Sequence, residues 1–171
     1  MTEKTMTRVR VPINAEFEEH GTDFLPAPDV QNLAFELIER YPEFEHLQTA
    51  DLGFAWKQKG GESNGKPTFG KCQKPSGLLK FFSKRTFVVW LAADNCREYG
   101  LGPEQIEALV YHELSHAGEE EDKQGNPKPV IVAHDIETFG LEVGRYGLWT
   151  DDLRRIKPVF DQAELPGFMQ S

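Results

Sequence analysis

The pentapeptide His112-Glu113-Leu114-Ser115-His116 constrains this chain more than any other stretch of it. Two imidazoles at i and i+4 meet only if the backbone between them is helical, and they then lie one above the other, close enough to grip a single zinc ion. Glu113 projects about 100° further round the helix, beside the ion without ligating it. From there its carboxylate can take a proton from a water whose acidity the ion raises. A helix is expected here on separate grounds. Gly102-Pro103 offers proline at the first helical position, and Ile106, Leu109, Val110, Leu114 and Ala117 form an apolar stripe running to about Ala117-Gly118. Both histidines fall at the margin of that stripe, where a half-buried cleft would put them.

A zinc site of this kind needs a third protein ligand and one open position. Two candidates lie within Ala133-His134-Asp135-Ile136-Glu137. A third helix is expected from Asp135, with Ile136, Phe139, Gly140, Val143 and Tyr146 at helical spacing and Gly147 as its C-cap. If it includes His134, the side chains of His134 and Glu137 sit about 60° apart on one face, so helical geometry does not choose between them. Imidazole is the commoner partner for zinc, which favours His134 and leaves Glu137 as the alternative. Asp135 reads as a helix cap or as an acceptor that fixes a ring tautomer. Arg145 and Tyr146, near the end of that helix, are the candidates to stabilise a tetrahedral intermediate. Tyr111 points away from His112 and reads as structural, and Trp56, Trp90 and Trp149 read as core or cleft wall.

The remaining pattern is that of an α+β chain with a small, mostly antiparallel sheet packed on helices. Residues 1–26 show no sustained period and read as a flexible N-terminal arm. A packing helix follows, capped by Asp29 and carrying Val30, Leu33, Ala34, Leu37 and Ile38 on one face up to Tyr41-Pro42. Strands are expected at Leu52–Trp56, across Thr68–Phe82 with a break at Pro75-Ser76-Gly77, and at Thr86–Ala92. The last of these, beside the histidine helix, is the expected receiver of an extended substrate by strand addition. Gly60–Gly65 reads as a mobile hairpin tip, and Glu119–Val132 as a turn-rich surface crossing.

At 171 residues the chain is long enough for one domain with a real core. Its longest apolar run, Phe87 to Ala93, is far short of the ~20 residues that cross a bilayer. The start, Met1-Thr2-Glu3-Lys4-Thr5, has no apolar signal core. Cys72 and Cys96 lack the spacing of a structural zinc site and read as plain thiols in a reducing compartment. The net charge of −9 argues against a general polyanion binder. It conceals a basic segment, however: Lys57 to Arg85 carries eight basic residues and one acid, +7 in all, which leaves −16 for the rest. Within it Lys71, Lys74, Lys80 and Lys84 are the candidate partner-binding residues.

Thr86–Trp90 leading into Gln105–His116, then His134–Phe139 and Arg145–Trp149, resembles the metallopeptidases encoded by bacteriophages and prophages over about residues 42–157. That family in turn resembles SprT-like zincins in its short helical metal site with a late histidine. The resemblance implies one zincin-like domain over 27–171 with a minimal metalloprotease core, Zn2+ held by His112, His116 and His134, and Glu113 as the base. It implies hydrolysis of a protein or peptide substrate in the cytoplasm of a bacterial host, while the net charge leaves nucleic acid a less favoured partner and the lack of a long apolar run leaves no membrane. Thr138 departs from it, standing where a second acid is expected. The alternative reading is a non-catalytic, metal-containing binding protein that docks on a host or viral partner through residues 57–85.

Overall fold

The computed structural model describes residues 5–136 and 140–163. The chain divides into two compact units after Val132, inside the span read from sequence as one domain.

In the first unit the packing helix α2 (Pro28–Arg40) forms where the stripe predicts it, with Val30, Leu33, Ala34, Leu37 and Ile38 all buried. Its start is set by Pro28 at the first turn, not by a cap from Asp29. The Asp29 carboxylate accepts the N–H of Val30, next to it in the helix, and the Arg10 N–H, each at 2.9 Å. Residues 5–26, expected as part of a flexible arm, are bound to the rest of the fold. They contain α1 (Asn14–His20) and β1 (Phe24–Pro26), and Phe17 of α1 is wholly buried in the core. The Arg97 guanidinium donates to the Pro12 carbonyl and to Asn14 Oδ1, and β1 pairs antiparallel with β2 (Leu52–Lys57).

The four-stranded sheet runs in the order β1-β2-β6-β5, where β3 (Glu62–Ser63) and β4 (Lys66–Pro67) form a separate small hairpin, β5 is Gly70–Gln73 and β6 is Phe87–Ala92. The β2–β6 pair is parallel and the other two pairs are antiparallel. The class is thus α+β, as expected. Two strand expectations change. The apolar run after Pro75-Ser76-Gly77 is helix α3 (Gly77–Ser83), not strand. And β6 has a neighbour on each side, so it has no free edge to receive a substrate; the edge strands are β1 and, next to β6, β5.

After α4 (Ala93–Glu98) comes the histidine helix α5 (Pro103–Ser115), with Pro103 at its first turn and Ile106, Val110 and Leu114 in the core. The crossing that follows is a regular hairpin, β7 (Ala117–Glu121) with β8 (Pro127–Ile131). Neither strand alternates apolar with polar residues, so backbone pairing alone defines it.

In the second unit α6 (Gly140–Tyr146) starts later than the sequence suggests, and His134 and Asp135 lie in irregular backbone ahead of it. Gly147 caps it as expected, its N–H donating to the Val143 carbonyl at 2.8 Å with φ +68°. The hydroxyl of Thr150 caps α7 (Asp151–Gln162). Trp149, read as core or cleft wall, is 55% exposed, whereas Trp56 and Trp90 are buried.

Candidate metal centre

The two α5 histidines converge. His112 Nε2 and His116 Nε2 are 3.3 Å apart, with the rings edge to face. Zinc bound tetrahedrally at ~2.0–2.1 Å from each nitrogen needs its ligand atoms about 3.3–3.4 Å apart. The donor pair therefore fits the ion by its spacing as well as by its chemistry.

His116 is held in the tautomer that binding requires. Its Nδ1 lies 2.6 Å from the Val132 carbonyl, which only accepts, so Nδ1 carries the proton and the neutral ring keeps its lone pair on Nε2. Val132 is fixed in turn, because its N–H donates to the His116 carbonyl at 2.8 Å, extending the β7–β8 ladder by one pair. A second tie reaches the same corner from residue 46: His46 Nε2 donates to the Ala117 carbonyl at 2.6 Å. Gly118 makes the close approach possible, since a Cβ there would lie 2.3 Å from a methyl of Val132.

Glu113 is 4% exposed, beside β5 and not in solvent. Ala92 N–H donates to the Phe69 carbonyl, so in the antiparallel register Lys71 and Gln73 turn their backbone groups to β6 while Gly70 and Cys72 turn theirs outward. The Glu113 carboxylate takes the outward Cys72 N–H. Gly70 leaves room for it, as a Cβ there would stand 3.2 Å from Glu113 Oε1. Burial lifts the Glu113 carboxyl to about 7, against the opposing pull of His116 and the Cys72 N–H. A carboxylate poised there exchanges protons near neutral pH. The Cys72 thiol, buried next to this carboxylate, is pushed up to about 12, and burial takes Cys96 to about 12 as well, so both are inert thiols as expected.

The described residues contain one set of three side chains that could hold a metal ion, His112, His116 and His134. Of the other expected site residues, Glu137 and Thr138 lie outside the described residues. Arg145 and Tyr146 end α6, both exposed. Lys71, Lys74, Lys80 and Lys84 are exposed on β5, α3 and the loops that flank it, with Lys74 Nζ donating to the Pro129 carbonyl at 3.1 Å. Tyr111 is structural, as read: its hydroxyl donates to Glu43, and its ring packs edge-on against Tyr41 and Phe44. Sequence reasoning missed Val132, His46 and the Cys72 N–H. Val132 and Cys72 act through their own backbone groups and His46 through a bond to the Ala117 carbonyl, none of which a residue type announces.

A protein-family model described as "Putative phage metallopeptidase" matches residues 22–161. No curated protein and no solved structure matches the chain.

Proposed function

The chain belongs to the phage metallopeptidase family, and from that premise we propose that it is a zinc-dependent peptidase in which His112, His116 and His134 hold the ion and Glu113 moves the proton. The observation that carries this reading is the 3.3 Å convergence of two Nε2 atoms, one of them held in its binding tautomer by the Val132 carbonyl. When bound, the ion supplies Lewis acidity to water and to a peptide carbonyl. The rest falls to the chain. Glu113 takes a proton from the attacking water on a carboxylate oxygen and returns it to the leaving amine nitrogen. Arg145 and Tyr146 are the proposed donors to the oxyanion.

Chain connectivity supports His134 as third ligand. It lies two residues beyond Val132, whose N–H and carbonyl are both bonded to His116, and two peptide units span at most about 7 Å. One experiment tests the set: wild type, His134→Ala and Glu137→Ala are scored for bound zinc and for chelator-sensitive cleavage of an unfolded protein. Wild type is expected to cleave and His134→Ala to lose zinc and activity together, with Glu137→Ala the milder change. The reverse order would reassign the ligand, and absence of cleavage by zinc-loaded wild type would overturn the peptidase reading.

A further inference from the structure

Helix α3 is built inside out. At 100° per residue Leu78, Leu79, Phe81 and Phe82 share an arc of about 160°, and Lys80 stands opposite its centre. An amphipathic surface helix ordinarily buries such an arc. Here no residue of the helix is buried, and the four apolar side chains are between 66% and 73% exposed. The polar side is turned back on the chain: Lys80 Nζ donates to the Arg85 carbonyl at 2.9 Å, and Ser83 Oγ accepts the Arg85 N–H. The helix is rooted at both ends, by buried Pro75 before it and by Arg85, whose guanidinium donates to the Leu52 carbonyl, after it. Its apolar face therefore stands out on a fixed pedestal.

The segment that carries that face has charge of one sign. No acidic residue occurs between Glu62 and Asp94, while Lys66, Lys71, Lys74, Lys80, Lys84 and Arg85 all do. Leucine and phenylalanine projecting from a short helix, with exposed Lys71 and Lys84 on the segments that flank it in sequence, match an anionic bilayer, where apolar side chains enter the acyl boundary and ammonium groups meet lipid phosphates. Nucleic acid would use the lysines but gives Leu78 and Leu79 nothing to bury against. A protein partner would have to supply both a groove and negative charge. The −16 carried by the rest of the chain would orient the molecule with this face toward the lipid. No helix among the described residues is long and apolar enough to cross a membrane. Surface attachment needs no such helix. We propose that α3 and the basic residues beside it form a peripheral docking surface for anionic lipid membranes.

The test is co-sedimentation of the full chain with phosphatidylglycerol-containing vesicles and with pure phosphatidylcholine vesicles. The protein is expected to pellet with the anionic vesicles only, and less as salt rises. Leu79→Ser/Phe82→Ser should abolish pelleting, and Lys71→Gln/Lys84→Gln should weaken it by about tenfold or more. Both variants should melt where wild type does, because the altered side chains are exposed. Failure to pellet with anionic vesicles would overturn the proposal, as would pelleting that both variants retain. So would self-association or nucleic-acid binding that Leu79→Ser/Phe82→Ser removes while vesicles are ignored.

Discussion

Glu113→Gln is expected to bind zinc as wild type does and to lose peptide hydrolysis by about 10²–10⁴-fold, the span that a positioned general base contributes. The substitution keeps the shape of the side chain, and the amide oxygen can still accept the Cys72 N–H that the carboxylate now takes. It removes only the ability to gain and lose a proton. Glu113 is not proposed as a ligand, so metal content should not change, and an uncharged side chain suits a site that is 4% exposed. Zinc analysis beside a cleavage assay separates the roles. Full activity in the variant would remove Glu113 from the mechanism, and lost zinc would make it part of the metal site.

Phe17→Ala is expected to destabilise the protein by about 3–5 kcal/mol, the cost of emptying a buried aromatic site. Phe17 is wholly buried, and its helix is tied down by Arg97 from α4 and, one strand later, by the β1–β2 pairing. Denaturant unfolding would read the change as a shift of midpoint. A loss below about 1 kcal/mol would mean that the first 26 residues are the dispensable arm that the sequence suggests.

That segment shows where the sequence stops being legible. Helices α2 and α5 could be read because each buries a stripe with several repeats of the helical period. Helix α1 buries one residue in seven, and one residue has no period. Leu78-Leu79-Lys80-Phe81-Phe82 misled for the opposite reason: strand reading assumes that apolar side chains are buried, and these are not. In β7, Glu119-Glu120-Glu121 reads as solvated loop, because both its faces are exposed and the ladder to β8 is all backbone. The metal pair was legible because both ligands sit on one helix, where spacing fixes geometry. What orients them was not. A carbonyl sixteen residues past His116 and a histidine seventy-one residues before Ala117 meet at one corner only once the chain has folded.

The proposed reaction depends on His112 and His116 gripping one ion, and stoichiometric zinc binding tests this most directly. Chelator-stripped wild type titrated with zinc should take up one equivalent per chain, and His116→Ala, with its circular dichroism unchanged, should take up none at the same concentrations. A stripped wild-type chain that stays folded and binds no zinc, or a His116→Ala chain that binds it equally well, would contradict the account.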